Sequence, residues 1–238
     1  MRSRCPRCRR PAGFCVCEGL APVPARTRVV LLQHPREARL AICSAWLTRI
    51  SLQDAELHRG VSFEGHPRVR ELAAVPGACL LWPGEGSTPA ASLRERPPPV
   101  LFAVDGTWHQ AEKMLRLSPS LAALPRLSVD AGRPSGYQGL RAEPGTVHLS
   151  TLEAVALALG DLEGDPGRFA PMIGAFHRSV ALQIACARGE RRNPRHHARP
   201  GRRSARAENE DHGPDDAGET EGDVEEAGRA GLAARHRP

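Results

Sequence analysis

The chain has 238 residues, a net charge of +6, and 40% hydrophobic and 25% charged side chains, which suffices for one buried core of about 150–200 residues plus appendages. No run reaches the ~18 apolar residues of a membrane span. The first residues, "MRSRCPRCRRPAGFCVC", lack the apolar core of a signal peptide, so the expectation is a cytoplasmic protein with no membrane partner.

The basic balance suits a polyanion such as RNA. A single lysine, Lys113, among many arginines, with abundant Ala, Gly and Pro, is also what a GC-rich genome would produce without functional demand.

In chain order, the first feature is Cys5-x2-Cys8-x6-Cys15-x-Cys17, four of the seven cysteines. Without a secretion signal such a cluster points to metal rather than disulfides. Two close pairs can close a tetrahedron of four thiolates, for which zinc is the usual occupant; an iron–sulfur cluster and a redox pair are the alternatives. A segment this short folds only around its metal. Residues 1–25 are therefore expected to form a zinc-binding knuckle, with Arg2, Arg4, Arg7, Arg9 and Arg10 offering a basic surface to RNA.

Residues 26–190 alternate between two periodicities. "RVVLLQ" (28–33) reads as a buried strand, and 36–50 carries apolar residues at helical spacing. A weaker strand follows at 55–60, a short helix at 69–75 and a buried strand at 78–83. "VLFAVD" (100–105) is the fourth strand, followed by a helix from Trp108 to Leu117. "PRLSVD" (125–130) is a fifth. After a Gly/Pro-rich loop come helices near 151–163 and 169–188. This alternation predicts an α/β domain with a mostly parallel sheet, in which ligands bind at the carboxyl ends of strands. Cys43, Cys79 and Cys186 lie in apolar stretches and read as small core residues.

Residues 191–238 turn from basic to acidic and hold almost no large hydrophobics. They cannot bury enough surface to offset ordering entropy, and are expected to be disordered.

Two helix starts carry capping boxes: Thr107 with Gln110, and Ser150 with Glu153. Thr107 then reads as a cap, Gly106 as the residue that permits the turn, and Trp108 either as a core anchor or as a stacking platform. Asp105 fits less easily. A carboxylate directly after five apolar residues is costly unless it has partners. "LLWPGEGS" (80–87) leaves a strand into a Gly-rich turn but lacks the spacing of a phosphate loop. His34 and His109 read as loop and helix-surface histidines.

In order, the cysteine head, "HPREA", "LLWPGEGS", "VDGTW", "SGYQGLR" and "HLSTLEA" resemble the DTW-domain proteins, a family of tRNA-uridine aminocarboxypropyltransferases. The resemblance covers about residues 1–185. It implies a SPOUT-like α/β fold with a C-terminal trefoil knot whose loops hold S-adenosylmethionine. It also implies transfer of the 3-amino-3-carboxypropyl group from that donor to N3 of a tRNA uridine, releasing methylthioadenosine. Asp105, Thr107 and Trp108 would be catalytic, with Asp105 either the base for N3 or the group that orients the uridine. Leu80, Gly84, Arg141, Leu149, Ser150 and Thr151 would form the donor site, Arg141 pairing with the donor carboxylate. A homodimer is common among such folds. The rival readings are a methyltransferase using the same fold and donor, and a zinc-containing RNA-binding protein without enzymatic activity.

Overall fold

Strand β1 (Arg28–Gln33) is buried from Val29 to Gln33, as expected of a strand with helices on both sides. The structure, a computed structural model, describes residues 3–40, 43–130 and 149–189. These fall within one compact unit spanning Met1–His196; a second unit, His197–Pro238, lies outside the described residues. So do the expected disordered tail, Tyr137 and Arg141.

After β1 come α1 (Ser44–Ser51), β2 (Ala55–Arg59), α2 (Pro67–Ala73), β3 (Cys79–Leu81), β4 (Thr88–Pro89), β5 (Val100–Asp105), α3 (Trp108–Arg116), α4 (Pro119–Ala122), β6 (Arg126–Ser128), α5 (Thr151–Glu163) and α6 (Ala170–Ala187). The six strands among the described residues form one sheet in the order β2-β1-β5-β3-β6-β4, and every neighbouring pair is parallel. The expected α/β class with a parallel sheet is thus observed.

The period-two alternation of β1 splits its side chains between two cores. Val29 and Leu31 pack with Leu47 of α1, Leu152 and Leu159 of α5, and Phe176 of α6. Val30 and Leu32 face the opposite layer, with Val69 and Leu72 of α2, Met114 of α3 and Leu121 of α4. Gly160 allows α5 to approach the turn that follows it: a Cβ there would lie 2.9 Å from Pro166 Cα.

The cysteine head packs into the first of these cores, where Cys8, Val16 and Leu20 are buried. Arg7 donates to the Ile50 carbonyl near the end of α1 (3.0 Å), and Trp46 Nε1 donates to the Arg7 carbonyl (3.1 Å). The Arg9 guanidinium lies 3.7 Å from the centre of the Trp46 ring, a cation–π contact. From α6, Arg178 donates to the carbonyls of Val16 and Glu18.

Three local expectations are corrected. The helix expected from residue 36 begins at Ser44; residues Glu37–Arg39 form a 3₁₀ turn, ended by Leu40 in an extended conformation. Leu40 is exposed, so its apolar character did not mark a buried helical face. The strand β4 and the single-turn α4 were not expected, because two and four residues are too short to show a period. Of the three cysteines read as core residues, only Cys79 is fully buried; Cys43 and Cys186 are partly exposed.

Candidate active site

Three neighbouring strands end in polar residues that lie side by side. Gln33 of β1 is the register partner of both Arg59 on β2 and Asp105 on β5. Their side chains are hydrogen bonded in a row: Arg59 Nε donates to Gln33 Oε1 (3.1 Å), and Gln33 Nε2 donates to Asp105 Oδ2 (2.9 Å). The other carboxylate oxygen, Oδ1, accepts from Ser44 Oγ at the start of α1 (3.0 Å) and from Thr151 Oγ1 at the start of α5 (2.7 Å). Asp105 is only 5% exposed. The partners that make its burial tolerable are therefore three side-chain donors from three different elements.

Cys43 joins this cluster, its sulfur 3.1 Å from Gln33 Nε2. Burial is the main cause raising its thiol pKa, and the Asp105 charge adds to it. His34, directly after β1, donates its backbone N–H to the Asp105 carbonyl. Burial lowers its imidazole pKa, helped by the nearby charges of Arg36 and Lys113.

Beside this cluster, at the carboxyl ends of β3, β5 and β6, lies an open cleft of about 250 Å³. Its walls come from the residues just after β3 (Trp82, Pro83), the start of α3 (Gly106, Trp108), the end of β6 (Ser128, Val129) and the start of α5 (Leu149, Thr151). None of the described lining residues is charged. Trp82 and Trp108 meet edge to face, ring centres 5.5 Å apart at 83°. A position at the carboxyl edge of a parallel sheet is where α/β folds bind ligands.

Both helix starts that flank the cleft are capped as their sequences predict. Thr107 Oγ1 accepts from the Gln110 amide while Gln110 Oε1 accepts from the Thr107 amide; Ser150 and Glu153 repeat the pattern. Gly106 permits the turn through its missing side chain rather than through its φ. Its backbone is not left-handed; a Cβ there would instead lie 3.1 Å from Gln110 Cβ, crowding the reciprocal cap.

At the other end of α1, the sulfurs of Cys5, Cys8, Cys15 and Cys17 all lie within 4.8 Å of one another. Cys5 and Cys17 are 3.9 Å apart, as are Cys8 and Cys15. A tetrahedral ion with bonds of about 2.3 Å to sulfur requires sulfur–sulfur edges of about 3.8 Å. The cluster can hold such a metal ion. The backbone amides of Cys8 and Arg7 stabilise the Cys5 thiolate and lower its pKa to about 6, whereas burial pushes the Cys17 thiol up to about 12.

A DTW domain matches residues 2–184. The chain belongs to the DTW-domain family. Its relatives include tRNA-uridine aminocarboxypropyltransferase 2 of Drosophila melanogaster, 29% identical over 191 residues, covering 77% of this chain and 76% of the relative. Another is tRNA-uridine aminocarboxypropyltransferase A of Arabidopsis thaliana, 28% identical over 199 residues, covering 69% of this chain and 74% of the relative. No solved structure matches the chain significantly.

In this DTW domain, the residues singled out from sequence take different places. Trp108, Leu149 and Thr151 line the cleft. Trp108 is 48% exposed, which decides against its reading as a core anchor: it opens α3 just beyond the end of β5. Thr107 and Ser150 are caps at the rim, and Ser150 is buried. Leu80 is fully buried in the sheet's second core, and its successor Leu81 lines the cleft instead. Gly84, at φ 132°, is in a conformation reserved for glycine just beyond Pro83. Sequence reading missed Gln33, Ser44 and Arg59. A glutamine closing a run that is otherwise apolar was the signal available.

Proposed function

We propose that this DTW-domain protein transfers the 3-amino-3-carboxypropyl group of S-adenosylmethionine to N3 of a uridine in tRNA, releasing methylthioadenosine. The observation that carries the reading is the tryptophan-walled cleft, uncharged among its described lining residues, placed directly against Thr151 and the buried Asp105 hydrogen bonded to it. The name shared by the relatives supplies the reaction class. An apolar cleft with aromatic walls suits a thioether and a planar base, and Trp108 offers its exposed face to stacking.

The sulfonium donor presents three electrophilic carbons. Selecting the longer arm over the methyl group is a matter of alignment. In this chain the starts of α3 and α5, each locked by a reciprocal cap, hold the walls that perform that alignment. Arg141 would pair with the donor carboxylate, with Leu80 and Gly84 supporting the β3 wall from behind. Zinc fits the four-cysteine cluster, where its role is to hold the head on α1. Residues 1–25 thus form the knuckle, 26–190 the SPOUT-like catalytic domain with its trefoil knot, and 191–238 a charged tail. The reading places the enzyme in the cytoplasm.

The test is direct. The purified protein is incubated with tRNA and the donor, and the digested nucleosides are analysed by mass spectrometry. Uridine carrying the added arm, together with methylthioadenosine, is the expected result. S-adenosylhomocysteine and a methylated nucleoside would replace the reading with methyl transfer.

A further inference from the structure

Asp105 does not line the cleft, yet Thr151, hydrogen bonded to it, does. Which atoms face the ligand follows from the donors and acceptors available. A guanidinium only donates, so Gln33 must turn its carbonyl to Arg59 and its amino group to Asp105. That leaves Asp105 as the acceptor for Gln33, Ser44 and Thr151. The Thr151 hydroxyl proton is committed to Oδ1 at 2.7 Å. Its oxygen lone pairs are what Thr151 has left to offer, so in a cleft whose described lining bears no charge it presents an acceptor. The group that belongs opposite it is a neutral N–H donor.

We infer that Thr151 is the catalytic residue that meets the nucleobase, and that Asp105 acts through it. This rests on the aminocarboxypropyl-transfer reading. The uridine N3–H bond breaks as its proton passes to Thr151 Oγ1, while the original hydroxyl proton passes to Asp105 Oδ1. The electron pair freed on N3 forms the bond to the arm's methylene carbon. The carbon–sulfur pair leaves on sulfur, as methylthioadenosine. Asp105 returns its proton through Thr151 to water once the product has gone. Gln33 and Arg59 are positioning residues that keep Asp105 turned toward Thr151.

The experiment compares Thr151→Val, Thr151→Ser and Asp105→Asn with the wild type in single-turnover transfer to tRNA, alongside calorimetric binding of S-adenosylmethionine. Thr151→Val is expected to lose about 100-fold or more in rate at neutral pH, the scale of lost general-base catalysis, with donor affinity within about threefold of wild type. Thr151→Ser keeps the rate within a few-fold. The deficits of Thr151→Val and Asp105→Asn shrink as pH rises, and with tRNA containing 5-fluorouridine, whose N3 proton is more acidic. A Thr151→Val rate near wild type would overturn the inference. So would a deficit that neither alkali nor 5-fluorouridine relieves, since that would make Thr151 a structural residue, as would a loss confined to donor affinity. If the wild type itself forms no methylthioadenosine with tRNA, the reaction assignment fails and the inference with it. An active wild type with an unimpaired Thr151→Val defeats the inference alone.

Discussion

Gln33 Nε2 donates to Asp105 Oδ2 across 2.9 Å, joining residues 72 positions apart that share one register row of the sheet. Gln33 is completely buried. Replacing it by leucine removes a donor from a buried carboxylate and leaves Arg59 without its acceptor. Gln33→Leu is expected to lose about 2–3 kcal/mol in urea unfolding. Gln33→Glu should do no better, because it places a second carboxylate against Asp105.

Trp108 separates binding from stability. As a half-exposed residue at a helix start, its replacement by alanine should change stability by less than about 1 kcal/mol. Removing a stacking face should weaken binding of the nucleobase or donor by about 5- to 100-fold. Calorimetry against S-adenosylmethionine and filter binding of tRNA show which ligand stacks there, and Trp108→Phe should recover most of the loss.

The cysteine head predicts one zinc ion per chain by elemental analysis. Cys8→Ser, or removal of the ion by a chelator, should lower the melting temperature by roughly 5 °C or more. The head shares a core with α1, α5 and α6, so the loss is not local. Tryptophan emission should shift at the same time, because the contact of Arg9 with the Trp46 ring depends on the knuckle's shape.

Glu56 on β2 gives a pH dependence. It accepts from Arg68 of α2 through both Nε and Nη2, and the Arg68 guanidinium holds its carboxyl below the ordinary value of 4.5. A pKa depressed by folding means stabilisation that is complete above about pH 4.5 and lost as pH falls through the lowered value. Both partners are partly exposed, so the contribution is under about 1 kcal/mol. Glu56→Gln should therefore be slightly less stable than wild type near neutrality, and the two unfolding curves should converge in acid.

Much of the scaffold was legible in the sequence because its signals are local. The strands 28–33 and 100–105 are apolar runs with polar ends, and the 151–163 helix is announced by its own capping box. Asp105 was visible as an anomaly. What completes it was not, since Gln33, Ser44 and Thr151 converge on it only once β1, α1 and α5 are packed. The start of α1 was misplaced for a related reason. Apolar spacing runs back to residue 36, but the turn at Glu37–Arg39 breaks it, and the helix resumes with Ser44 under Asp105. For Trp108 the sequence left two readings open, because helical spacing indicates a face without showing whether that face is buried.

The arginines of the head invite one last consequence. Arg7 is drawn onto the Ile50 carbonyl and Arg9 onto the Trp46 ring. Both guanidinium groups are engaged within the protein. Displacement of counterions from RNA depends on cations that reach the backbone. The ionic-strength dependence of tRNA binding should accordingly be shallower than the crowd of arginines suggests, and part of the charge that looks like a nucleic-acid grip is the fastening of the knuckle to the α/β domain.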